Sequence, residues 1–231
     1  MFESYIKIFD RYGPDILSGL KLTIYITLIS IIFGLFLGLI LSILKIYGPK
    51  ILKILSSLYI EIIRGTPMTV QLFIIYYGIP STGLIRFSPF FAAILGMGLN
   101  SAAYQAEYFR TAFNAIPVGQ SDAALSIGMN RWKVILYILL PQVIRITIPA
   151  WTNELIALTQ YSSLAMILTV MELTSVAKFI GSKTFMYIQS FAIITVIYVI
   201  LSIVFTRLMV YFEKRLAIPG VSVVRGRGSL F

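Results

Sequence analysis

The chain contains no cysteine and no histidine. That excludes disulfide frameworks, thiolate nucleophiles, the usual Cys/His zinc sites and imidazole acid–base catalysis. Charge is scarce too: 12% of the 231 residues are charged, against roughly 25% in a soluble domain. Nine residues are acidic and no two stand close together in sequence, so paired-carboxylate catalysis has no obvious starting point. These absences favour a conduit or scaffold over an enzyme.

Apolar surface is abundant. Hydrophobic residues make up 58% of the chain and mean hydropathy is +0.91. A globule of this length cannot hide that much apolar surface, so a large part faces lipid. The net charge of +10 would suit nucleic acid, but the basic residues flank apolar runs instead of forming a stripe. That is the pattern of cytoplasmic loops in a membrane protein, and no nucleic-acid partner is expected.

A hydrocarbon core of about 30 Å needs roughly 20 apolar helical residues. Leu22 to Leu44 meets this without a charge. Gly34 and Gly38 give it a GxxxG spacing, a weak signal read as tolerated membrane glycine. Thr66 to Ile79 is short, but becomes long enough if its helix begins near Leu52 and kinks at Pro67. Phe87 to Ala106, Val143 to Val170 and Tyr187 to about Tyr211 supply three more runs. The expected fold is an all-α integral membrane protein with five transmembrane helices.

With the N-terminus outside, thirteen of the nineteen lysines and arginines fall on the cytoplasmic side, which fixes the expected orientation. No cleavable signal peptide is expected. Residues 1–21 read as an amphipathic interfacial lead, 22–212 as the transmembrane domain, and 213–231 as a basic cytoplasmic tail.

The loop at about 114–141 stands apart. Pro117 can open a short helix, Gln120 to Ile127 can continue it, and Gly128 can end it in a left-handed conformation. Asp122 suits the positive N-terminal end. Ala123, Ala124 and Ile127 form a small apolar face of a kind that docks into a groove. The alternative is a surface helix packed on its own membrane domain.

Asp122-Ala123-Ala124, then Gly128, then Ile138, Leu140 and Pro141 resemble the EAA motif of ABC importer permeases, with Asp for the usual Glu. Tyr59 to Pro80 and Asn100 to Pro117 resemble the second- and third-helix signatures of the histidine/glutamine-type permeases for polar amino acids. The resemblance covers about Gly19 to Leu216. It implies a type I ABC importer transmembrane domain whose short EAA helix, with Gln120, Asp122, Ala123, Ala124, Ile127 and Gly128, couples to a partner ATPase. It also implies a second permease subunit, two ABC ATPase subunits that bind ATP and Mg, an extracytoplasmic solute-binding protein and an amino-acid substrate. The membrane that the resemblance implies is the bacterial inner membrane. This chain has no nucleotide site of its own: Gly181-Ser182-Lys183-Thr184 lacks the glycine a phosphate loop needs before its lysine.

Intramembrane polar residues point to the cargo site. Asn100, Ser101, Tyr104 and Glu107 recur along the third run, and Glu154, Gln160, Tyr161, Ser162 and Ser163 along the fourth. An acid at a helix centre costs about 2.5–3.5 kcal/mol to insert, so Glu154 needs a partner. Many family members carry a Lys-Asp pair where Gln160 and Tyr161 stand here. With neither charge present, Glu154 is free to pair with a cationic cargo side chain: arginine, lysine or histidine. The other reading is that Glu154 satisfies a group on another helix, Arg145 or a partner-chain residue among them. Glu61 and Arg64, three apart, are expected to form a structural pair. A neutral polar cargo such as glutamine and a gradient-driven secondary transporter are the competing functions, the second without visible inverted repeats or an acid relay.

Overall fold

The computed structural model describes residues 2–83 and 85–216. No strand occurs among them. The helices are α1 (Phe2–Tyr47), α2 (Lys50–Arg64), α3 (Met68–Ser81), α4 (Pro89–Asn114), α5 (Val118–Ser126), α6 (Arg131–Leu168), α7 (Leu173–Thr184) and α8 (Tyr187–Leu216). Most of the expected basic tail, including Arg225 and Arg227, lies outside the described residues.

α1, α6 and α8 are each long and apolar enough to cross a bilayer, and α2 with α3 qualifies as a fourth, broken crossing. The break is a bend of 105° at Gly65-Thr66-Pro67, where the sequence placed a kink. Pro67 caps α3 from an extended conformation and cannot continue α2. Along α4, the partners of this pair step steadily toward its N-terminal end. Ile60 of α2 packs on Ala103 and Ala106, while Leu72 and Ile75 of α3 cluster with Ala92, Ala93 and Met97. That progression is a crossing antiparallel to α4, not a loop that turns back.

α4 is the fifth crossing. At 26 residues it is about 39 Å long, ample for the hydrocarbon core. It is the centre of the bundle, with Ala92, Ala93, Ala102, Ala103, Ala106 and Ala112 all buried against surrounding helices. A helix covered by protein needs little lipid-facing surface, which is why Asn100, Ser101 and Gln105 are accommodated in it.

The glycine pair of α1 lies close against α4, Gly38 against its backbone. A Cβ at Gly38 would lie 2.8 Å from the Ala102 carbonyl oxygen, and one at Gly34 would lie 2.9 Å from the Ser101 Cβ. These glycines therefore set the approach of α1 to α4, in place of the neutral role read from sequence.

Residues 2–21 are continuous with the first crossing. Their apolar side, Ile8, Tyr12 and Ile16, packs on Leu173, Val176, Ala177 and Ile180 of α7. Two π-helical turns, Ile74–Gly78 and Val134–Leu139, each precede a proline, Pro80 and Pro141. A proline supplies no N–H to the carbonyl four residues back, and the helix widens there.

Candidate functional site

Glu154 sits in the middle of α6, is 6% exposed, and faces α4. Ser101 Oγ donates to one carboxylate oxygen at 2.6 Å and the Tyr108 hydroxyl to the other at 3.1 Å. Gln105 Nε2 donates to Ser101 Oγ and to the Ile31 carbonyl, each at 3.0 Å. The chain of bonds thus runs from the α1 backbone through α4 to Glu154. Among the described residues no lysine or arginine reaches Glu154, and Arg145 is exposed and unpaired with it.

The expected cargo residues fall into two groups. Ser101 joins Glu154, whereas Asn100 donates to Gln71 Oε1 of α3 at 3.0 Å, and Gln71 Nε2 in turn donates to the Ile63 carbonyl and the Thr66 hydroxyl at the break. Tyr104 lies under Arg64, whose guanidinium carbon is 5.2 Å from the ring centre. Gln160 and Ser163 face α8 instead, where a groove of about 640 Å³ is lined by Gln160, Thr195, Tyr198, Ser202 and Arg207. Ser163 and Ser162 turn their hydroxyls to the carbonyls of Gln160 and Thr159, each at 2.7 Å. Tyr161 is exposed.

Two sequence readings change. Glu107 is held by Lys45 at 2.9 Å and Arg110 at 2.8 Å, so it ties α1 to α4 and leaves the polar face of Asn100 and Tyr104. Glu61 and Arg64 do not pair; among the described residues both ion pairs are at Glu107. Tyr108, Gln71 and Gln105 were missed. Tyr108 had a signal, since it lies one turn beyond Tyr104 on the same helix face.

The loop helix α5 starts after Pro117, and Gly128 follows it with φ +86°, the left-handed end the sequence called for. Its apolar face is divided. Ala124 is buried in its own chain among Phe109, Phe113, Ile116 and Val134, so it anchors the helix and is not available for docking. Ala123 and Ile127 point outward, Ile127 being 80% exposed. Asp122 is exposed as well. Gln120 accepts a 2.6 Å bond from Gln142, which also donates to the Ile138 carbonyl. This joins α5 to α6 below Glu154.

Outside the crossings, Glu172 caps α7. Its two oxygens accept the Thr174 and Ser175 amides at 2.8 Å each and the Tyr198 hydroxyl at 2.9 Å. Burial pushes its carboxyl above the ordinary range, and these bonds act against that rise.

Residues 22–218 match the family described as binding-protein-dependent transport system inner membrane component. The chain belongs to this family. The probable amino-acid permease protein YxeN of Bacillus subtilis (strain 168) is 37% identical over 89% of this chain and 93% of its own. The arginine transport system permease protein ArtQ of the same organism is 36% identical over 88% and 93%. The glutamine transport system permease protein GlnP of Escherichia coli (strain K12) is 32% identical over 89% and 94%. Among solved structures, an amino acid ABC transporter crystallised with histidines matches with a TM-score of 0.84 and 35% identity, covering 93% of this chain and 98% of that one. The MetNI methionine transporter in an inward-facing form shares the fold, with a TM-score of 0.76 at 22% identity. The protein is therefore an amino-acid ABC importer permease, a multi-pass subunit of the inner membrane with a type I transmembrane fold.

Proposed function

We propose that this permease carries basic amino acids, with Glu154 as the cargo's anionic partner. One observation carries the reading: a buried carboxylate at mid-helix that has hydroxyl donors and, among the described residues, no cation paired with it. Two hydroxyl bonds satisfy part of its capacity, and two oxygens offer about four acceptor sites. A cationic cargo supplies what is left, and a guanidinium does so bidentately. Ser101, Asn100 and Tyr104 then line the same site, while Gln160, Ser163 and Tyr161 belong to the path beyond it.

The working assembly in this reading is two permease chains, two ATPase subunits that bind ATP and Mg, and an extracytoplasmic solute-binding protein. The N-terminus is outside and the C-terminus cytoplasmic. Ala123, Asp122, Ile127 and Gln120 meet the ATPase, and Gln142 passes movement of α5 to α6. ATP shifts the equilibrium by favouring one arrangement of the helices over the other.

The test is reconstitution in liposomes with the ATPase and binding protein, screening amino acids for uptake and stimulated ATP hydrolysis. Arginine, lysine or histidine is expected to stimulate, and Glu154→Gln to lower uptake about 10–100-fold. Unchanged uptake in that variant removes the pairing. The glutamine permease among the relatives supports a second reading, a neutral polar cargo, which stimulation by glutamine alone would favour.

A further inference from the structure

Arg64 is a charge that no role above absorbs. It ends α2 immediately before the Gly65-Thr66-Pro67 break, and Arg64 and all three of those residues are exposed. The acid one turn behind it, Glu61, does not neutralise it, since both ion pairs among the described residues lie at Glu107. Its guanidinium rests 5.2 Å from the centre of the Tyr104 ring. Tyr104 and Tyr108 are one turn apart on α4, and Tyr108 donates to Glu154 at 3.1 Å.

The sequence Arg64, Tyr104, Tyr108, Glu154 therefore runs along one side of the bundle. A cation stands at one end, an anion at the other, and two tyrosine rings lie between. Each charge is costly inside a membrane, and direct pairing would lower that cost. Here Arg64 and Glu154 form no ion pair with each other. A ligand with separated charges of the opposite order would satisfy both ends at once.

An amino acid is such a ligand. We propose that Arg64 receives the α-carboxylate of the cargo while Glu154 takes its cationic end. This deepens the proposed function and rests on it. The planar fork of arginine matches a carboxylate with two parallel bonds, which a lysine in its place would not provide. Tyr104 holds the guanidinium plane through its ring face, so the fork is oriented before cargo arrives. Arg64 also sits at the 105° break between α2 and α3, so a change in that angle would move the carboxylate partner relative to Glu154.

The experiment is equilibrium binding to the permease–ATPase complex in lipid nanodiscs. The solute-binding protein is left out, so that its own selectivity does not enter. The probes are L-arginine against agmatine, which is arginine without its carboxylate, and L-glutamine against 4-aminobutanamide. The wild type is expected to favour the amino acid over its decarboxylated partner by about 10–100-fold, the scale of a lost charged hydrogen-bond set. Arg64→Gln is expected to erase that gap by weakening the amino acid alone, with amine binding unchanged as evidence of an intact fold. Arg64→Lys is expected to keep part of it. Equal binding of the two partners by the wild type, or a full gap in Arg64→Gln, overturns the carboxylate role and leaves the transport reading standing. Failure of the wild type to bind any amino acid overturns both.

Discussion

Replacing Gly38 by alanine gives the most direct measure of the α1–α4 contact. The new Cβ would sit 2.8 Å from the Ala102 carbonyl oxygen, 2.9 Å from the Gln105 Cβ and 3.0 Å from the Ala106 amide nitrogen. Two of those three atoms are backbone of the central helix and cannot swing aside. Overpacking of this sort costs about 1–3 kcal/mol, partly offset by the roughly 0.8–1 kcal/mol that alanine gains over glycine inside a helix. Because two of the opposing atoms are backbone, the overpacking falls in the upper part of that range, at about 2–3 kcal/mol, and the net is a loss of about 1–2 kcal/mol. Gly34→Ala meets softer surroundings, chiefly the Gln105 amide at 2.7 Å and the Ser101 side chain. Its cost comes from displacing the bonds Gln105 makes to Ile31 and Ser101, and it is expected to be the smaller of the two. Thermal unfolding in nanodiscs, followed by tryptophan fluorescence, would give a lower midpoint for Gly38→Ala by about 2–8 °C. A variant as stable as the wild type, or the reverse order of the two glycines, would refute the close-approach argument.

Other outcomes follow from the same geometry. Ile127→Arg places a charge on the outward side of α5 and should abolish ATPase recruitment in a pull-down, whereas Ala124→Arg should lower the unfolding temperature because that residue is interior. Gln142→Leu removes the bond to Gln120; uptake per ATP hydrolysed is expected to fall while assembly persists, and unchanged coupling would exclude this link. Glu172 has a raised carboxyl pKa, so its contribution to stability is present below the unfolded value of about 4.3 and declines as pH rises through the folded value. Unfolding measured against pH should show that decline in the wild type and lose it in Glu172→Gln.

Much of the architecture was legible because lipid imposes a length and a composition that soluble cores do not. Apolar run lengths located α1, α6 and α8, and Pro67 located the break of the second crossing. The loop helix was legible from Pro117 and Gly128, which act locally. The misjudged features depend on which helices touch. Gly34 and Gly38 gained meaning only from the α4 backbone against them, and Glu107 left the polar face because Lys45 reaches across from α1. Ala124 and Ile127 share a sequence signature, yet one is interior and the other exposed. That division depends on where Phe109 and Val134 pack.

The buried, polar character of α4 has a consequence for how the protein is made. Asn100, Ser101, Gln105, Glu107 and Arg110 would make this helix a poor candidate to leave the translocon into lipid alone. α1 is synthesised first and offers both the glycine seam and Lys45, so α4 has a protein surface waiting when it emerges. Substitutions that spoil the seam should therefore show up during synthesis as failed insertion and degradation, before any folded transporter exists to be tested.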